Sequence, residues 1–218
     1  MTIFNFQNFV VVQSTSTTSS GSWSVSCNAG LNVISCGMYN SQYSYNDEYR
    51  GLYPSSSTYC TCFDRNGVAC NSRCTTVPAS NFAMMKGSGT SFNVMCPASY
   101  SVVGCHAMPW LPANSVDYFR YTYPLAGGKG CYCKDNGGFD CWASCAINIT
   151  NYEIQWSYSS GYSYASCTYP KNFVLGCTFV PVQSGSNPFF KFSYAITDTM
   201  CLCYTNQEGA CYAICGTL

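Results

Sequence analysis

Charge is the scarcest property of this chain. Nine Lys or Arg and nine Asp or Glu among 218 residues leave it with 8% charged positions, about a third of the usual share. There is no basic stripe to hold a polyanion, so nucleic acid is excluded as a partner. Histidine occurs once, at His106, and C-x-x-C never occurs, which removes the usual signature of a thiol redox centre. No apolar run is long enough for a membrane span, and no stretch of a dozen residues carries a 3.6-residue apolar period, so helices are not expected. Disorder is excluded from the opposite side, because 47% hydrophobic and 17% aromatic residues are too many for a solvated chain.

What the chain does have is cysteine. Eighteen of them fall into three sets of six: Cys27, Cys36, Cys60, Cys62, Cys70 and Cys74; Cys96, Cys105, Cys131, Cys133, Cys141 and Cys145; Cys167, Cys177, Cys201, Cys203, Cys211 and Cys215. Successive gaps are 8, 23, 1, 7 and 3 residues in the first set, 8, 25, 1, 7 and 3 in the second, and 9, 23, 1, 7 and 3 in the third. A repeated spacing with variation confined to two gaps marks a triplicated unit. An even count with C-x-C and C-x3-C clusters and almost no histidine fits nine disulfides in an oxidising compartment better than zinc. No metal or cofactor is expected. The opening stretch Met1 to Val12 lacks a basic region and a cleavage site, so it does not read as a secretory leader; the expectation is a secreted chain from which a leader has been removed.

The repeat extends beyond the cysteines. Asn8-Phe9-Val10, Asn81-Phe82-Ala83 and Asn151-Tyr152-Glu153 each begin a unit as a short strand, followed by a Ser/Gly-rich turn and the strand leading to the first cysteine. Three modules follow, at 1–75, 76–147 and 148–218, each all-β and each near the size at which covalent staples substitute for core volume. Asn66-Gly67, Asn136-Gly137-Gly138 and Gln207-Glu208-Gly209 carry hairpin turn chemistry. A hairpin there joins the fourth cysteine to the fifth: Cys62 to Cys70, Cys133 to Cys141, Cys203 to Cys211. Its register puts the small residues Ser72, Ala143 and Ala213 opposite the third cysteine, leaving room for a bridge to the second. Pairing first with sixth would complete a nested pattern, although sequence alone permits fifteen arrangements per module.

The stretches Val94-Met95-Cys96-Pro97, Val102-Val103-Gly104-Cys105 and Cys141-Trp142-Ala143-Ser144-Cys145, echoed by Val174-Leu175-Gly176-Cys177 and Tyr212-Ala213-Ile214-Cys215, resemble the modules of the C-terminal cysteine-rich domain of the ninth subtilisin/kexin-type proprotein convertase, which is itself similar to resistin. The resemblance implies three six-cysteine β-sandwich modules around a pseudo-threefold axis, first-to-sixth and second-to-third bridges, and a secreted protein-interaction role. Each module here ends in C-x3-C where the family has adjacent cysteines, and lacks the family's extra upstream cysteine. No protease domain is present, so no proteolytic activity carries over.

The stock of catalytic groups is thin. His106, Asp47-Glu48 and Asp135 have no nearby partners in sequence, and read as packed or solvated side chains rather than acids, bases or ligands; an enzyme is not expected. Asn148-Ile149-Thr150 is the sole glycosylation sequon. Nineteen tyrosines suit half-buried sandwich faces and interfaces, among them Tyr39, Tyr43, Tyr45, Tyr49 and Tyr53, and Tyr158, Tyr162 and Tyr164. The expected function is that of a secreted structural protein whose partner is itself, in a fibre, coat or matrix. The first strand, with Ile3, Phe4, Phe6, Phe9, Val10, Val11 and Val12, is the assembly candidate. It pairs within its own module or, hinged at Ser14 to Ser22, is lent to a neighbour, with the home arrangement favoured. The alternative is a soluble extracellular module that binds a protein or a glycan.

Overall fold

A computed structural model of the chain describes residues 9–13, 21–39, 51–64, 69–109, 120–170, 172–181 and 190–218. The strands in it are β1 (Phe9–Gln13), β2 (Gly21–Ser26), β3 (Asn32–Tyr39), β4 (Gly51–Pro54), β5 (Tyr59–Asp64), β6 (Ala69–Thr75), β7 (Phe82–Met95), β8 (Ser101–Pro109), β9 (Arg120–Pro124), β10 (Gly130–Ala146), β11 (Thr150–Ser166), β12 (Phe173–Pro181), β13 (Phe190–Ala195) and β14 (Met200–Thr217). Single 3-10 turns at Ala79–Asn81 and Ala126–Gly128 are the only helical residues among those described, and the fold is all-β.

The strands form two curled sheets, one ordered β1-β6-β3-β13-β14-β11 with β12 also on β14, the other β2-β5-β4-β8-β10-β7 with β9 also on β10. Within the first cysteine set two layers are visible: β2 and β4 flank β5, and β1 and β3 flank β6. In the second set one long strand serves both layers. The first part of β10 pairs with β9 and with Ser91–Met95 of β7; from Phe139 onward it pairs with β8 and with Phe82–Gly89 of β7. In the third set β14 does the same with β13, β12 and the two halves of β11.

This corrects the hairpin expectation. Asn136-Gly137-Gly138 lies inside β10 and Gln207-Glu208-Gly209 inside β14; Asn66-Gly67 lies outside the described residues. The register breaks between Lys134 and Phe139, and Gly138 has φ +85°. The same glycine and asparagine chemistry that closes a hairpin here makes a bulge at which one strand bends from layer to layer. The expected turn after each module's opening residues is also strand in the second and third sets: β7 and β11 run through, and β11 turns the corner at Gly161, with φ +84°.

All nine bridges connect one layer with the other: Cys27–Cys74, Cys36–Cys60 and Cys62–Cys70; Cys96–Cys145, Cys105–Cys131 and Cys133–Cys141; Cys167–Cys215, Cys177–Cys201 and Cys203–Cys211. Ser72, Ala143 and Ala213 stand opposite the second cysteine of each set, not the third, because the halves of the third-to-sixth segment belong to different layers. They still make the space for the second-to-third bridge. Cys36 and Cys60 have Cα atoms 5.7 Å apart, whereas stacked sheets normally sit about 10 Å apart. The layers are pinched where the sulfurs cross, and the core of each set is largely its own cysteines with a few residues such as Val25, Phe139 or Phe179. Each bridge contributes about 2–4 kcal/mol by restricting the unfolded chain.

The three sets close into a ring through related contacts. The residue facing the fourth cysteine of one set meets a residue just beyond the second cysteine of another, two beyond it at two junctions and one beyond it at the third. Leu52 pairs with Ala107 and Ser193 with Met38; at the third junction the Thr178 hydroxyl donates to the carbonyl of Thr122. On the axis Ile34, Val103 and Leu175, each two residues before a second cysteine, form one buried cluster. The next position is Ser35, Gly104 or Gly176. A Cβ on Gly176 would overlap the Val103 carbonyl oxygen, and one on Gly104 would lie 3.1 Å from Ser35 Cβ, so close packing at the axis demands small residues.

Candidate functional site

The ring places its unusual chemistry at the junctions between sets and on one outer strand. His106 projects into the axis at the position held by Gly37 and Thr178 in the other sets. It is 1% exposed, and neither ring nitrogen has a hydrogen-bond partner. Burial drives its pKa from 6.5 down to about 3, so the imidazole is neutral at physiological pH. It lines a small depression of about 40 Å³ shared by all three sets, together with Met38, Leu52, Tyr121, Thr122 and Phe179. Such a histidine is a plug in an apolar environment with spare hydrogen-bonding capacity, and none of the described residues lining the depression is a carboxylate.

Two junctions are faced with stacked rings. Tyr53 lies on Trp142 with centroids 4.6 Å apart, and Lys86 Nζ sits 5.3 Å from the Trp142 ring. At the corresponding place Tyr123 stacks on Tyr212 at 6.2 Å, and Tyr132 and Tyr121 extend the cluster. Burial, with the neighbouring Tyr132 and Tyr123 phenols, pushes Tyr121 up to about 12. Arg73 crosses the remaining junction: buried, it donates through Nη2 to the carbonyl and the carboxylate of Asp198, the latter at 3.3 Å. Burial lowers its pKa, and Asp198 acts against that.

Glu153, Cys167 and Cys215 come within ligand distance of one another, but the two sulfurs are bonded to each other and offer no thiolate. The Glu153 carboxylate is instead a staple. It accepts from the backbone N–H groups of Thr168 and Tyr169 at 2.9 and 3.1 Å, from Asn172 Nδ2 at 2.9 Å and from Gln155 Nε2 at 2.7 Å. Burial alone would raise its pKa, but these hydrogen bonds outweigh it and hold the carboxyl at about 2.

On the outside, β11 is a sheet edge that pairs only with β14 among the described residues. Trp156, Tyr158, Tyr162 and Tyr164 are all exposed along it, Trp156 by 63%, while Ser157, Ser159, Ser163 and Ala165 alternate inward. Tyr162 rests on Tyr204 of β14 at 4.5 Å.

Of the assembly candidates, Phe9, Val10, Val11 and Val12 lie in β1, which pairs with β6 of its own set, Phe9 facing Thr75 and Val12 facing Ser72. Ile3, Phe4 and Phe6, the hinge residues 14–20, Tyr43, Tyr45, Tyr49 and Asp47-Glu48 lie outside the described residues. Asn148 is exposed in the bend between β10 and β11, with φ +61°. Sequence reasoning did not find Arg73, Glu153 or the Tyr53–Trp142 pair. For Arg73 and Trp142 the cysteine repeat marks the position, one residue before the sixth cysteine and one after the fifth; for Glu153 and Tyr53 it marks none. No protein-family model matches the chain, and no curated protein is significantly similar to it.

Proposed function

We propose that the protein is a secreted structural unit that associates with copies of itself into an extracellular fibre, coat or matrix. A β fold cross-linked by nine disulfides belongs to an oxidising compartment, and no helix among the described residues is long and apolar enough to cross a membrane. The observation that carries the reading is the outer row of Trp156, Tyr158, Tyr162 and Tyr164 on a strand that pairs only with β14 among the described residues. This long aromatic edge strand carries no outward charge of its own, the neighbouring Glu208 carboxylate accepting from the Tyr158 hydroxyl, and so lacks most of the features that keep strands from joining. Net charge near zero adds no repulsion. β1 provides a second route: its home register on β6 is the one it would take on a neighbour's β6 if exchanged.

Light scattering and negative-stain microscopy over a concentration series test this. Assembly is expected for the intact chain and is weakened by Trp156→Ser with Tyr164→Ser; persistent monomers at high concentration refute it. Deleting residues 1–13 separates the routes, since exchange requires that segment and edge association does not. The resemblance to the convertase domain supports a second reading, a soluble binding module, and the tyrosine cluster of Tyr121, Tyr123, Tyr132 and Tyr212 is the surface that favours it. Protein or glycan capture lost on Tyr123→Ala, by a chain that stays monomeric, selects that reading. Asn148 is the proposed glycan acceptor, read by the peptide mass before and after enzymatic deglycosylation.

A further inference from the structure

One of the three junctions is left unfilled. The residue just before the last cysteine of each set points into the neighbouring set. Arg73 does so toward Asp198, and Ile214 is fully buried in the core of the second set beside Val102. The third member is Ser144, directed at the first set. At the Ile214 junction Tyr152 adds further bulk, its hydroxyl donating to the Val102 carbonyl at 3.0 Å. The residue corresponding to Tyr152 at the Ser144 junction is Phe82. An isoleucine and a tyrosine are replaced by a serine and a phenylalanine, and a cavity of about 160 Å³ opens there.

The described lining is mostly apolar, with Val33, Ile34, Phe82 and Met84 beside the uncharged polar residues Asn32, Ser57 and Ser144, and no described side chain in it is charged. One polar atom in it is unsatisfied: Ser144 is 7% exposed, and its Oγ has no hydrogen-bond partner. Asn32, also on the wall, is already committed through Nδ2 to the Val77 carbonyl at 2.9 Å. A buried hydroxyl left without a partner costs free energy that a ligand can recover. A cleft with apolar walls and a few placed polar groups is the usual form of a small-molecule site, and this volume is close to the roughly 150 Å³ that already admits benzene.

We infer that the junction between the first and second cysteine sets is a binding site for a small uncharged aromatic or alkyl molecule bearing one hydroxyl, with Ser144 Oγ as its hydrogen-bond partner. The lack of charge in the lining rejects carboxylates and ammonium groups, whose desolvation nothing there would offset. The site is independent of self-association.

Equilibrium dialysis against 4-methylphenol and against toluene tests it, because dialysis counts probe bound per chain whether chains are single or assembled. Saturable binding of one 4-methylphenol per chain is expected, with Kd roughly 0.1–1 mM for a ligand of this size. Ser144→Ile restores the bulk that Ile214 provides at the equivalent place and is expected to weaken binding of both probes at least tenfold. Ser144→Ala keeps the space and removes the hydroxyl. It is expected to weaken 4-methylphenol about fivefold and leave toluene unchanged, with the disulfide map of each variant confirming its fold. No saturable binding by the intact chain up to 5 mM overturns the proposal, as does undiminished binding by Ser144→Ile. Equal losses of the two probes in Ser144→Ala overturn the role of the hydroxyl.

Discussion

Acid should loosen the ring through His106. Its pKa falls from 6.5 to about 3 on folding because burial disfavours the imidazolium. Below pH 6.5 the unfolded chain therefore binds a proton that the folded chain refuses. Stability is undiminished above pH 6.5 and declines as pH is lowered toward 3, at about 1.4 kcal/mol per unit. Two units, from 6.5 to 4.5, remove about 3 kcal/mol, a large part of an ordinary domain's stability. The Glu153 carboxylate does not contribute in this range. With a folded pKa of about 2, its stabilisation is present above its ordinary value of about 4.5 and is lost only as pH falls below that. Denaturant titration at pH 7, 5.5 and 4.5 with disulfides intact, followed by tryptophan fluorescence, reads the effect, since Trp142 is stacked across a junction. The difference between the intact chain and His106→Asn isolates the imidazole. A midpoint that does not move between pH 7 and 4.5, or one that moves equally in the variant, refutes the reasoning.

Three further outcomes are expected. Replacing Cys27 and Cys74, 47 residues apart, should cost about 4 kcal/mol and replacing Cys62 and Cys70, 8 apart, about 2.5 kcal/mol by loop-closure entropy; thermal melts that rank them in the other order contradict the entropic account. Gly176→Ala should lower the melting temperature more than Gly30→Ala, although Gly30 has φ +83°, because its new Cβ meets backbone at the axis whereas that of Gly30 meets nothing within 4 Å. Glu153→Gln should destabilise the native state by about 1–3 kcal/mol at pH 7 and speed amide exchange at Thr168 and Tyr169, whose N–H groups it holds; unchanged exchange at those two amides tells against the staple.

The cysteine spacing and the near absence of helix signals were enough to read an all-β, disulfide-built chain, and the 7-residue gap pointed to a bridge between the fourth and fifth cysteines. The backbone beneath that bridge was misread. A hairpin and a strand bending around a corner both bring cysteines eight positions apart to Cα distances near 5.6–6.4 Å, and Gly137-Gly138 serves either. The junctions were illegible for a different reason. Tyr53 and Trp142 share no local pattern, and their contact exists only because a ring brings two sets together. His106 looked like any lone histidine, since nothing next to it in sequence shows that Ile34, Val103 and Leu175 converge nearby.

The ring returns to its starting point through three seams that are alike in place but not in contacts. The position before the last cysteine holds Arg73 at one seam, Ser144 at another and Ile214 at the third, so each seam of the ring carries its own chemistry: an ion pair, an unmatched hydroxyl and an apolar plug.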